Sequence, residues 1–261
     1  MIKKLMKYDL KKMFWVLPYL YVAVIAFSGI ARILSIYSDM QFMFILKCIV
    51  EAIVYSLIGS ILVNSFVQTI RVFYVNLYKD EGYLTHTLPI EKNKILVAKF
   101  LSALVVVLAG IAVCVVSIFI LFYSKQNMEL LANFVKLTVS AFNMKAGVFV
   151  IMLVIILFAE LCWLLSLIFT AIVKANSYGK DRLTMGMIWF VVYYFGSGFL
   201  SILVCVAALG VSGNIAQILA EQMSQGAFVT LLVCAVVCYV IYTVINCLVC
   251  SRLFCKGVNL D

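Results

Sequence analysis

Charge is scarce in this chain: 12% of its 261 residues are Asp, Glu, Lys or Arg, and it has a single histidine, His86. Soluble domains carry about 25% charge and about 45–50% apolar residues. Here the hydrophobic share is 66% and the mean hydropathy is +1.18, so too little polar surface exists to cover a soluble core of this size. The composition excludes a soluble metabolic enzyme and places the chain in a bilayer.

Several kinds of chemistry are excluded by what is missing. One histidine rules out the H-E-x-x-H zinc site and leaves serine or cysteine nucleophiles without their usual base. His86 itself falls in a predicted loop with no orienting partner. There is no glycine-rich loop ending in Lys and Ser or Thr to cradle phosphates, so no nucleotide site is expected in this chain. A pair of half-helices broken by Gly or Pro, the sign of a midplane ion site in many secondary transporters, is also absent. The expectation is a membrane protein without catalytic residues, metal or cofactor of its own.

Nine cysteines are present, of which Cys48, Cys114, Cys162, Cys205, Cys234, Cys238 and Cys247 lie in strongly apolar stretches. There cysteine behaves as a small hydrophobe. Cys247 and Cys250 have C-x-x-C spacing, but the second pair of ligands that a zinc site needs is lacking. The formal charge of +9 raises nucleic acid as a partner. The cations cluster between apolar runs without interleaved aromatic platforms, so they are read as topology signals and contacts to anionic lipid headgroups instead.

What the chain does have is six apolar runs long enough to cross about 30 Å of hydrocarbon as helices. They cover roughly 14–36, 43–72, 93–123, 146–173, 184–210 and 227–250. They lack the alternation of barrel strands, and lipid offers backbone groups no partners outside the helix. The fold class is therefore all-α and polytopic, a single transmembrane domain over 1–261. With a cytoplasmic N-terminus the inner side collects Lys3, Lys4, Lys7, Lys11, Lys12, Arg71, Lys79, Lys92, Lys94, Lys99, Lys174, Lys180, Arg182, Arg252 and Lys256. The outer side keeps only Arg32, Lys47, Lys125, Lys136 and Lys145. The positive-inside rule then puts both termini in the cytoplasm.

Residues 2–14 have their own pattern: Ile2, Leu5, Met6, Leu10 and Met13 share one helical face, with lysines on the others. The spacing predicts an amphipathic interfacial helix over about 1–13. The outer loops at 124–145 and 211–226 hold apolar residues at helical spacing, which predicts short surface or re-entrant helices. Inside the fourth run Glu160 is the deepest ionisable residue. A mid-membrane carboxylate costs on the order of 3 kcal/mol, which the flanking Leu, Ile and Phe offset. Such a residue faces a bundle interior, a polar cavity or a neighbouring subunit.

The largest inner loop, 73–92 with its flanks, reads FYVNLYKDEGYLTHTLPIEKNKILVAKF. Asp80 suits the cap of a short helix and Glu81 its first turn. At 100° per residue Tyr83, Leu84, Thr87 and Leu88 share an arc, with Glu81, Thr85 and His86 opposite. Pro89 ends that turn or opens the next helix. The product is an amphipathic knob between two long helices. Tyr74, Asn76, Leu77, Asp80, Glu81, Gly82, Tyr83, Leu84, Thr85, Thr87, Leu88 and Pro89, followed by Ile95 through Lys99, resemble the first cytoplasmic loop of bacterial type-2 ATP-binding-cassette (ABC) transporter permeases. The specific likeness covers about 25 residues; the six-span plan covers the whole chain less specifically.

That resemblance implies a coupling helix docking into a separate ATPase subunit. The assembly would be two copies of this chain with two ABC ATPases that bind ATP and Mg, in the plasma membrane of a bacterium. Asp80, Glu81, Gly82, Tyr83, Leu84, Thr85, Thr87, Leu88 and Pro89 would be its contact residues. The apolar spans suit a hydrophobic or amphipathic cargo, with an antimicrobial or cytolytic peptide as one example. The competing expectation is an ATP-independent small secondary transporter or a membrane scaffold.

Overall fold

The computed structural model describes residues 2–37, 41–79, 82, 91–141, 145–177, 182–211 and 225–255. Eight helices lie among them. They are α1 (Ile2–Met13), α2 (Leu17–Ile36), α3 (Gln41–Tyr78), α4 (Lys92–Phe122), α5 (Lys125–Ala141), α6 (Ala146–Ala175), α7 (Arg182–Val211) and α8 (Gln225–Cys255). Six of them, α2, α3, α4, α6, α7 and α8, are long and apolar enough to cross a membrane. The chain is an all-α, multi-pass membrane protein.

The six runs read from the sequence coincide with these six helices, but α3 reaches Tyr78 where hydropathy alone ended the run near residue 72. Its 38 residues span about 57 Å at 1.5 Å per residue, well beyond the hydrocarbon. Of the two loops expected on the outer side, the first holds α5, whose Leu130, Leu131, Phe134 and Leu137 are exposed. The second, 212–224, lies outside the described residues.

The described helices form two compact units, Met1–Met128 and Glu129–Asp261, with the boundary inside α5. In the first unit, α2 packs against α3 and α4, and α1 lies against α4 and α3. Val24, Ala31, Val54, Ile61, Cys114 and Leu121 make one core and Met13, Leu17, Val72 and Val106 another. Small polar residues allow the helices to close up. Ser28, Ser65, Thr69 and Ser102 are buried, each hydroxyl donating to the carbonyl four residues earlier at 2.7–2.9 Å. A buried hydroxyl satisfied within its own helix costs the interface little. At Gly110 of α4, an added Cβ would stand 2.8 Å from Ser65 Oγ of α3, so glycine sets that close approach.

The second unit is a three-helix group in which α6 packs against α8 and α7, and α7 against α8. From Leu165 to Ala171 every residue of α6 is buried, which no single apolar stripe would produce. Thr170 Oγ1 donates to Asn246 O at 3.0 Å and Asn246 Nδ2 to Ser166 Oγ at 3.3 Å, joining α6 to α8. Lys174 Nζ joins α6 to α7. It sits 3.3 Å from the centroid of the Trp189 ring and donates to Tyr193 Oη at 2.8 Å. A lysine near a helix end that keeps its charge on aromatic faces is stabilised without a counter-ion.

Candidate functional site

The loop singled out in the sequence joins α3 to α4. Asp80, Glu81, Tyr83, Leu84, Thr85, His86, Thr87, Leu88 and Pro89 lie outside the described residues. Gly82 is described: it is buried, and its N–H donates to Lys79 O at 2.6 Å as the chain turns away from α3. On the other side Glu91 has an extended backbone before α4, and Lys94 Nζ pairs with Glu91 Oε1 at 2.9 Å. That pair is exposed, and such pairs contribute little.

What fixes the flanks is a buried polar network. Asp9 of α1 is 3% exposed, Asn76 of α3 is 3% and Lys99 of α4 is 4%. Lys99 Nζ and Asn76 Nδ2 each donate to Asp9 Oδ1 at 2.9 Å. Lys12 Nζ, three residues along α1, donates to Asn76 Oδ1 at 3.5 Å. One carboxylate thus gathers the end of α3, the start of α4 and the N-terminal helix. Removing one partner of such a pair strands a charge in a low-dielectric site and costs about 3–5 kcal/mol.

The local sequence explains why the three residues meet. The α1 face bearing Leu5, Met6, Leu10 and Met13 is buried or half-buried, while Lys3, Lys4, Lys7 and Lys11 stay exposed. That apolar face therefore turns toward protein, and Asp9 projects from it. Asn76 and Lys99 stand on α3 and α4, close to where each helix meets the loop.

Glu160, the intramembrane candidate, lies in α6 and is exposed. Among the described residues no Lys or Arg forms an ion pair with it. One turn along, Trp163 is 5% exposed and stands between Tyr194 of α7 and Tyr239 of α8, with ring centroids 5.5 and 5.3 Å away. Its Nε1 has no hydrogen-bond partner among the described residues. Glu160 thus stands one helical turn from an aromatic cluster drawn from three helices. All nine cysteines are free thiols, and no group of ligand-type side chains among the described residues is arranged to hold a metal ion.

Sequence reasoning singled out Glu160 but passed over Asp9, and it took Lys99 for its sign and as the end of the resembling segment, not as a partner of Asp9. The available signal was placement: Asp9 is the acidic residue of α1, and its position continues the apolar face between Met6 and Leu10. Trp163, Tyr194 and Tyr239 carried no such signal, since aromatic residues are common throughout the apolar runs. Comparison with protein-family models, with curated proteins and with solved structures finds no match to this chain.

Proposed function

We propose that the chain is the membrane subunit of an ABC exporter in a bacterial plasma membrane. It works as a homodimer with two copies of a separate ATPase that supplies ATP and Mg binding. The loop between α3 and α4 docks on the ATPase, Tyr83, Leu84 and Leu88 filling a groove while Asp80 and Glu81 cap the short helix and meet basic residues. Closure of the ATPases on ATP moves the loop, and with it α3 and α4, so that the pathway opens outward to a hydrophobic or amphipathic cargo.

The observation that supports this reading best is the fastening of both flanks of the loop to one carboxylate on α1. A loop meant only to connect two spans needs no shared buried ion pair. A loop that transmits force does, because a push then moves α1, α3 and α4 together instead of bending one helix end. The family resemblance of the loop and the six-span plan agree with the reading.

Assembly tests it. The purified chain alone should hydrolyse no ATP; with its ATPase it should run as two membrane chains and two ATPases in a native mass measurement. Transport by a chain that never associates with an ATPase would overturn the proposal.

Orientation is tested separately, and the expected result follows from the asymmetric distribution of Lys and Arg. With the other cysteines replaced, Cys255, exposed at the end of α8, should react in intact cells only with membrane-permeant thiol reagents. Single cysteines placed at Asn127 and Ser224 should react with impermeant ones. Impermeant labelling of Cys255 would reverse the topology and carry the loop to the wrong side for an ATPase.

A further inference from the structure

We propose that Glu160, Trp163, Tyr194 and Tyr239 form a binding site for a lipophilic organic cation. As the class of cargo this rests on the exporter reading above; as a binding site it stands independently of any ATPase. Three observations converge on it. Glu160 is exposed in the middle of an apolar span and has no ion-pair partner among the described residues. Hydrocarbon does not solvate a carboxylate, so a group of opposite charge or a hydrogen-bond donor is needed at that face.

The second observation is what surrounds the acid. Trp163, one helical turn away, is stacked between Tyr194 and Tyr239, and Tyr194 keeps 41% of its surface exposed. Aromatic faces next to a carboxylate are the chemistry that recognises organic ammonium and related cations. A small hydrated metal ion would instead demand several oxygen ligands, and Glu160 supplies the carboxylate of this cluster alone.

Third, an apolar groove of about 580 Å³ lies between α7 and α8, the two helices that carry Tyr194 and Tyr239. Its lining includes Leu200, Val204, Cys238 and Tyr242, and Cys238 is the sequence neighbour of Tyr239 on α8. That volume is in the range of sites for drug-sized molecules, and its lining suits the apolar body of the cation.

The test uses the purified full-length chain in maltoside micelles without ATPase, with radiolabelled tetraphenylphosphonium as the probe. Binding should be saturable, and the isosteric anion tetraphenylborate should not displace it. Glu160→Gln should weaken affinity by about tenfold or more, as removal of one member of a desolvated charge pair does. Tyr194→Leu removes a ring that keeps 41% of its surface exposed and leaves an apolar side chain against Trp163, so it should fold and weaken binding by roughly threefold to tenfold. That second variant decides the matter if Glu160→Gln cannot be purified.

Wild-type affinity in a folded Glu160→Gln or Tyr194→Leu protein would overturn the site. So would displacement by tetraphenylborate, or absence of binding because a second copy of the chain covers Glu160. Loss of binding in a chain that still couples to an ATPase would refute the cation site alone. Binding by a chain that transports without ever associating with an ATPase would refute the exporter reading alone.

Discussion

Replacing Lys99 with methionine should destabilise the first helical unit by about 3–5 kcal/mol and release α1 from α3 and α4. The reason lies in what remains behind. Asp9 is 3% exposed and its Oδ1 accepts from Lys99 and Asn76 at 2.9 Å each, so without the ammonium a buried carboxylate keeps only neutral or more distant donors. Stranding a charge in this way, more than losing the attraction itself, is what makes the single change expensive. Asp9→Asn takes the carboxylate from the buried Lys99 ammonium and should also destabilise, but less, because the amide oxygen still accepts from it.

The double variant Asp9→Leu with Lys99→Met should recover much of the loss, since replacing a buried ion pair by apolar groups of similar volume is often neutral or stabilising. Thermal unfolding in micelles measures the sum, and protease sensitivity of the segment between α1 and α2 measures detachment of α1. If each single variant costs less than about 1 kcal/mol, the network is well solvated and does not fasten the loop. If the double variant keeps stability but uncouples ATP hydrolysis from transport, the pair matters for transmission beyond its effect on stability.

Different amounts of this architecture were legible at different scales. The six long helices followed from run length, because in lipid a backbone without water has to satisfy itself. The N-terminal helix followed from a 3.6-residue period, but its tertiary role did not: the partners of Asp9 stand 67 and 90 residues away. No local pattern encodes a pairing over that distance. Rotation of the long helices was equally hidden, since a helix apolar around its whole circumference, such as α6 with its buried stretch Leu165 to Ala171, offers no stripe to orient.

Glu160 was legible because a charge in an apolar run stands out, whereas Trp163, Tyr194 and Tyr239 acquire their significance only from being brought together. The loop itself was read entirely from sequence. The structure contributes the anchoring of its flanks: α3 continues to Tyr78, a turn beyond where hydropathy ended it, and Asn76 in that extension reaches Asp9. An apolar-run count stops too soon there because the residues added, Phe73, Tyr74, Val75, Asn76, Leu77 and Tyr78, are buried or half-buried against protein.

Leu84→Asp should abolish co-purification of the ATPase while leaving the membrane chain inserted and dimeric. In the proposed docking, Leu84 shares an apolar arc with Tyr83 and Leu88 and fills a groove on the partner, so the substitution buries a carboxylate with no designed counter-charge. An unpaired charge buried at an interface costs several kcal/mol, and every 1.4 kcal/mol is about tenfold in affinity. Even a tight complex would then dissociate at working concentrations or lose coupling.

In the sequence the loop lies between the second and third apolar runs, so the change should add no charge to hydrocarbon and should spare insertion. Glu81→Ala should be milder, about 0.3–1 kcal/mol, because it removes a helix-end or rim contact from a solvated position. Co-purification and transport-linked ATP hydrolysis, read for both variants against expression and dimer controls, separate the two effects. Full ATPase binding by Leu84→Asp would make the loop an ordinary turn between α3 and α4, and force transmission through the Asp9 network would then have no starting point.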